Sequence, residues 1–289
     1  MSYKTPTKAV ITDAGFASRF LPITKTVPKA MIPLGPKPIM QYVVEECVAG
    51  GIKDIIIVAT HEGKPIYEDY FTNPCEKIYK QLESQGKLDR FESVREVLSL
   101  ANITVIEQDP SFPYGNGSPI ASAKPYLNDD EAFLALYSDD LIFGKGDVQT
   151  LVEAYEKHPD AKAIIAAQEM PEEVWNKYGM IAMKDKKKQT LSHIVEKPAT
   201  PDLSPSNLTS YGRYLLTPEV FAHLIPRILV LMMSSGPWML SQNSQSLATY
   251  SSLRVKVNGS RPVIQRTITR LTKNLTKWRN RPWKHLLGF

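Results

Sequence analysis

The loop Asp13-Ala14-Gly15-Phe16-Ala17-Ser18-Arg19-Phe20-Leu21-Pro22, with Lys25, Pro28 and Lys29 close behind, gathers a glycine, a hydroxyl and three cations. Backbone amides beside a glycine and nearby positive charge can cradle a polyphosphate. A solvated basic loop held by its prolines is the plainer reading of the same residues. The glycine run ending in Gly-Lys-Ser/Thr is absent, which excludes a P-loop nucleotidase. Asp139 and Asp140 close an apolar run, where two carboxylates repel each other unless the pleat separates them or a cation bridges them. Mg²⁺ suits such a place, because it is a hard cation content with one or two carboxylates plus substrate phosphates; a turn or helix-cap role is the alternative. Gly115-Asn116-Gly117-Ser118 lets a flat group approach the backbone, or simply makes a tight turn. Lys197, fixed between Glu196 and Pro198, can aim a cation at a phosphate or stand as an ordinary surface lysine.

These residues need elements to position them. Residues 8–12 read as a short buried strand, and apolar positions Met40, Val43, Val44, Cys47 and Val48 space a helix from Ile39 that Gly50-Gly51 closes. The run Ile55 to Ala59 reads as a strand buried on both faces. The alternation continues with helical periodicity over about residues 76–100, a strand at 103–106, a helix at 119–126 and a strand at 132–137. A helix over 148–157, a strand at 163–167 and a β-hairpin over 179–195 complete it. The pattern predicts an α/β fold with a mostly parallel doubly wound sheet, whose ligands bind outside the carboxyl ends of the strands. Asp13 to Lys29, Gln108 to Ser118, Asp139-Asp140 and Glu196 to Pro198 fall at such ends.

With 43% hydrophobic and 22% charged residues among 289, the chain has apolar surface to bury, which excludes global disorder and fibres. Its longest apolar run in the C-terminal part, Ile228 to Met233, is far short of the roughly 20 residues that span a bilayer, so no membrane segment is expected. Ala9-Val10-Ile11 is too short for a secretory signal core, and Cys47 and Cys75 make no metal or disulfide framework; a cytoplasmic location follows as the default. The charge is unevenly spread. Residues after Ile225 carry 11 Lys and Arg with no Asp or Glu, whereas residues 1–225 carry 24 bases and 30 acids. The expected division is therefore residues 1–225 as one domain and 226–289 as an atypical basic segment.

The segment KAVITDAGFASRFLPITKTVPKAMIPLGPKPIMQYVVEECVAGGIKDIIIVAT closely resembles the start of the bacterial UTP:glucose-1-phosphate uridylyltransferases, a sugar nucleotidyltransferase family. The resemblance continues in order through YGNGSPIASAKPYL, ALYSDDLIF, YGMIAM, HIVEKP and SNLTSYGRYLLTPEVF, and covers roughly residues 6–224. It implies a Rossmann-like nucleotidyltransferase domain, Mg²⁺ as cofactor, and formation of UDP-glucose and pyrophosphate from UTP and glucose 1-phosphate. Thymidylyl or guanylyl transfer to another sugar phosphate is the alternative within the class, and a binding relative without turnover the alternative outside it. By the resemblance, Ala14, Gly15 and Ser18 lie against the nucleotide phosphates, Arg19 and Lys29 offset their charge, and Gln108 and Gly115 contact the base. Asp139 matches a metal ligand, Gly179 and Glu196 match sugar contacts, and Lys197 matches the lysine that holds the sugar phosphate. Arg19, Lys29 and Lys197 are thus the residues assigned to catalysis. A homo-oligomer is compatible with the resemblance.

The sequence departs from the family in two places. The family's phosphate loop usually reads Ala-Gly-x-Gly-Thr-Arg, but here Ala17 and Ser18 replace the second glycine and the threonine, and Asp13 replaces a small or apolar residue. A Cβ at a left-handed position costs about 1 kcal/mol or more, and an acid beside a triphosphate repels it unless it faces the metal. Past Leu224 the family's Thr-Asp-Ala helix and second metal carboxylate are missing, and only Leu247 to Gly259 has a family-like look. A shifted reading frame explains such a tail. A nucleic-acid module built on Arg261, Arg266, Arg270, Lys273, Lys277, Trp278, Arg279, Arg281 and Trp283 is the lesser reading, since a solvated basic tail is the commoner outcome.

Overall fold

The computed structural model describes residues 2–142, 146–187 and 189–225, and the backbone of 253–257. Its strands are β1 (Lys8–Asp13), β2 (Pro33–Leu34), β3 (Lys37–Pro38), β4 (Asp54–Ala59), β5 (Asn102–Glu107), β6 (Phe133–Tyr137), β7 (Ala163–Glu169), β8 (Gly179–Asp185), β9 (Thr190–Glu196), β10 (Leu208–Leu216) and β11 (Leu253–Val257). The helices are α1 (Ile39–Ala49), α2 (Lys64–Thr72), α3 (Glu76–Ser84), α4 (Glu92–Leu98), α5 (Gly117–Ser122) and α6 (Asp147–Lys157). Among the described residues, nine strands form one sheet in the order β5-β4-β1-β6-β10-β7-β11-β9-β8. β1 pairs parallel with both β4 and β6, and β4 pairs parallel with β5. β10 runs antiparallel between β6 and β7, and β8 and β9 form the expected hairpin.

Strand alternation builds two apolar layers. Ala9 and Ile11 of β1, with Ile55 and Ile57 of β4, face Val43, Val44 and Cys47 of α1, Tyr67 of α2, and Val148 and Leu151 of α6. Val10, Ile56 and Val58 point the other way, against Ile120 of α5 and Phe221 and Leu224. A sheet covered on both faces is the doubly wound arrangement that the continuous apolar strands require. It leaves the carboxyl ends of β1, β4, β5 and β6 on one edge.

Three elements differ from the sequence reading. The helical stretch over 76–100 is broken, because Gly86 adopts φ +65° and turns the chain between α3 and α4. Helix α2, with a proline in its first turn, was not expected between the strand at 55–59 and residue 76. β10 is the third: Thr209, Ser210, Gly212 and Arg213 interrupt its apolar residues, so neither a continuous apolar run nor a strict alternation marks it as a strand, although most of it is buried. Within 226–289, Leu253–Val257 joins the sheet parallel to β7, with Arg254 opposite Thr190 of β9. That strand lies in the stretch of the tail that looks family-like. The remainder of 226–289, including the basic residues from Arg261 onward, lies outside the described residues.

Candidate functional site

The loop leaving β1 winds into a 3-10 turn at Ser18–Phe20, with Phe20 N–H donating to Ala17 O at 3.0 Å and Thr24 Oγ1 to the same carbonyl at 3.0 Å. Ala17 sits at φ 45°, ψ 39°, the left-handed conformation anticipated where the family has glycine. A Cβ at Gly15 would meet nothing within 4 Å, so the backbone there is open. Ser18 and Arg19 are exposed on the turn, and Ala14 is half-buried. Lys29, on a second 3-10 turn (Lys29–Met31), reaches across the sheet edge to Asp139 Oδ2 at 2.5 Å and lies 5.2 Å from the centre of the Phe20 ring. Their side chains are 21% and 42% exposed, so the pair is open to a ligand from one side.

Asp13 does not lie in wait for a phosphate. Tyr67 OH and Ser138 Oγ, the latter at 2.6 Å, both donate to its carboxyl, tying the ends of β1, α2 and β6 together. Burial pushes this carboxyl up from the ordinary carboxylate range, against the pull of the two hydrogen bonds. The repulsion expected of an acid at this position is thereby blunted, because the carboxyl is turned into the fold and held by Tyr67 and Ser138.

Asp140 is pushed up as well, first by burial and then by the neighbouring Asp139 charge, with Arg213 and Lys29 opposing. Arg213, on β10, is 0% exposed. Its guanidinium meets Glu46 of α1 at 3.0 Å, donates to Tyr137 O at 2.9 Å, and donates to Asp140 O. Burial works against its charge, and Glu46 overrides that effect. A buried ion pair of this kind contributes little net stability but fixes geometry when its hydrogen bonds are all made. Here it grips the carbonyls on both sides of Ser138-Asp139. Neither Arg213 nor Glu46 stood out in the sequence. The available signal was a charged residue within an apolar strand and another among the apolar positions of α1, each demanding a buried partner.

Across the sheet, Gly179 opens β8 opposite Glu196, the last residue of β9. A Cβ at Gly179 would stand 2.9 Å from Glu196 Oε2 and 2.8 Å from Ile194 Cγ2, so only glycine leaves the carboxylate its place. Lys197 follows with φ 45°, its N–H donating to Tyr178 O at 2.9 Å and its Nζ lying 3.2 Å from Glu196 Oε1. A left-handed lysine is an uncommon, strained choice, and such strain gathers at functional sites. The Tyr178 hydroxyl is pushed up to about 12 by burial and by the charges of Asp140 and Asp139, which brings the hairpin within electrostatic range of the acidic pair. Tyr178 is a further residue the sequence reading did not single out.

Gln108, half-buried after β5, has its N–H bonded to Ala59 O at 2.9 Å, and Gly115 is exposed before α5. The structure thus brings Lys29 to Asp139 and groups Gly179, Glu196 and Lys197. Gln108 and Gly115 stand on a separate loop, two strands from the Gly15 loop in the sheet order. No group of three or more His, Cys, Asp and Glu among the described residues can hold a metal ion on its own. No described helix is long and apolar enough to cross a membrane.

Residues 8–235 match the nucleotidyl transferase family. UTP--glucose-1-phosphate uridylyltransferase 2 of Staphylococcus saprophyticus is 40% identical over 220 residues, 75% of this chain and 73% of that protein. The UTP--glucose-1-phosphate uridylyltransferase of Bacillus subtilis is 39% identical over 220 residues, again 75% of this chain and 73% of that protein. A solved UDP-glucose pyrophosphorylase complexed with UDP-glucose superposes with a TM-score of 0.64 at 30% identity, covering 76% of this chain and 79% of that one.

Proposed function

The chain belongs to the nucleotidyl transferase family, and from that premise we propose that it transfers a uridylyl group from UTP to glucose 1-phosphate, giving UDP-glucose and pyrophosphate. The observation that carries the chemistry is the Lys29–Asp139 pair, which sets a cation and a carboxylate at the carboxyl edge beside an open glycine loop. The sugar phosphate oxygen attacks the α-phosphorus in line and pyrophosphate leaves. The attacking oxygen is already ionised near neutral pH, so no side chain serves as nucleophile and the task is positioning and charge neutralisation.

Ala14, Gly15 and Ser18 are assigned to the nucleotide phosphates, with Arg19 and Lys29 neutralising them. Gln108 and Gly115 are assigned to the base, Gly179 and Glu196 to the sugar, and Lys197 to the sugar phosphate. The grouping of Gly179, Glu196 and Lys197 at one hairpin end supports the last three. Enzymes of this family use a divalent metal, and we assign Mg²⁺. The donor chemistry fits: Asp139 offers hard carboxylate oxygen at a place with too few protein ligands for a closed cage, which suits an ion that takes its remaining ligands from phosphate and water. When bound, the metal neutralises charge on the phosphates. Every assigned residue lies before Ile225, which supports residues 1–225 as the catalytic unit. Cys47 and Cys75 are free thiols, which supports a cytoplasmic setting; a homo-oligomer is part of the same proposal, to be checked by light scattering.

Pyrophosphate release with Mg²⁺, UTP and glucose 1-phosphate tests the reading. Turnover that falls at least about a hundredfold in Asp139→Ala is expected. UTP binding without pyrophosphate release from any nucleotide and sugar phosphate would instead leave a binding relative, the reading that left-handed Ala17 favours.

A further inference from the structure

Two large aromatic rings stand in solvent at this edge: Phe16 is 76% exposed and Tyr114 is 71% exposed. They come from different loops, Phe16 from the one after β1 and Tyr114 from the one after β5. Those strands are separated in the sheet by β4, so the loops start about 10 Å apart. The rings nevertheless meet, with centroids 6.0 Å apart and planes 15° from parallel, bridging over the carboxyl end of β4. Each is chained to an open glycine: neither Gly15 nor Gly115 has any atom within 4 Å of where a Cβ would be. Exposed apolar surface of this kind marks a contact site, and two nearly parallel rings offer flat faces.

Resting on the proposed function, we infer that Phe16 and Tyr114 form an aromatic gate that stacks on the nucleobase of the bound nucleotide. Both rings adjoin the backbone assigned to the nucleotide, and a base lying between the Gly15 and Gly115 loops must pass them. Stacking is indifferent to base identity because every planar base has a π-face. The gate therefore supplies affinity for the nucleoside, and the choice among bases falls to polar contacts such as those of Gln108. It also tethers two loops that share no strand pairing.

Calorimetric titration tests this with UTP, with the 5,6-dihydrouridine triphosphate whose ring is not planar, and with inorganic tripolyphosphate. The parent protein is expected to bind UTP about tenfold more tightly than the dihydro analogue. Phe16→Ala and Tyr114→Ala each lose that preference while keeping their tripolyphosphate affinity, and Tyr114→Phe, which retains the ring, keeps it. Both side chains are exposed, so the variants fold, and near-UV dichroism checks this. Alanine variants that discriminate as the parent does overturn the inference. So do variants that leave nucleotide affinity intact but change the sedimentation of the protein, which would make the rings a protein contact. A parent that binds tripolyphosphate but shows no preference for UTP overturns the gate alone, and a parent that binds no nucleotide overturns the proposed function with it.

Discussion

The two sides of the site are built differently. The side proposed for the nucleotide is made of loops: Gly15, Ser18 and Arg19 are exposed, Ala17 is held in a left-handed conformation, and the rings of Phe16 and Tyr114 stand in solvent. The side proposed for the sugar phosphate is made of strand ends. Gly179 and Glu196 are opposite one another in register, and Tyr137 and Tyr214 pack edge to face at 5.7 Å beside them. A loop tolerates exchange because its residues touch few neighbours, whereas a residue in a paired strand answers to both faces and both adjoining strands. Two departures from the family pattern, Ala17 and Ser18, fall where this difference allows them, whereas Asp13 ends β1 and is accommodated only because Tyr67 and Ser138 complete its hydrogen bonds. The residues between the two sides, Asp139 and Asp140, are fixed by Arg213 from the strand side.

The largest effect is expected from breaking that link. Arg213→Met leaves Glu46 buried without a partner and should cost about 3–5 kcal/mol in urea unfolding. Arg213→Lys keeps a charge for Glu46 but lacks the planar fork that spans the Tyr137 and Asp140 carbonyls. It should lose less stability and still lower kcat, with the KM for UTP little changed. Equal losses of stability in both variants, with kcat untouched in the lysine variant, would make the pair a brace for the fold alone. The next effect separates the two sides of the site. Lys197→Gly removes the cation and suits the left-handed backbone, so stability should hold while the KM for glucose 1-phosphate rises about tenfold to a hundredfold. A matching rise in the KM for UTP would erase the distinction between the sides.

Legibility followed the same division. The strands at 8–12, 55–59, 103–106, 132–137 and 163–167 and the hairpin were readable because an apolar run between turn residues has few other uses. Ala17 was legible too, since its strain follows from a pattern glycine replaced by a residue with a Cβ. What the sequence hid was satisfied polarity. Asp13 reads as an exposed acid in a polar loop, and only the fold reveals that Tyr67, 54 residues away, and Ser138, 125 away, complete its hydrogen bonds. Arg213 and Glu46 are 167 residues apart, and no local spacing connects them. β10 has no legible period, because Thr209, Ser210, Gly212 and Arg213 interrupt its apolar residues, and its place between β6 and β7 is set by long-range pairing.

The buried acid gives a smaller, pH-dependent effect. The folded carboxyl of Asp13 is raised above its unfolded value, so the stability linked to its protonation is fully present below the ordinary carboxylate range, about pH 4, and is lost as pH rises through the raised value. Asp13→Asn cannot ionise; its Oδ1 accepts from one of the two hydroxyls and its Nδ2 donates to the oxygen of the other. Thermal unfolding should therefore show the parent falling relative to the variant as pH rises from about 4 toward neutrality. A constant difference between them across that range would mean that Asp13 ionises in the fold as freely as in the unfolded chain.

The smallest effect acts on the nucleotide side and decides how far its loop has drifted. Ala17→Gly removes a Cβ from a left-handed residue, relieving about 1–2 kcal/mol of steric cost. It also adds conformational freedom to the unfolded chain, which takes back about 0.4–1 kcal/mol. The net gain should be about 0.5–1 kcal/mol. In a chain of this size such a gain raises the unfolding temperature by only about 1–2 °C. The same exchange at a residue that already sits in the right-handed region, such as Ala123 at φ −78°, should destabilise instead. If Ala17→Gly proves neutral or destabilising, the loop relaxes away from the left-handed conformation in solution. If it stabilises and also tightens UTP, the replaced glycine had been serving the fold and the phosphate together, and the loop carries in Ala17 a cost that the strand-built side of the site does not.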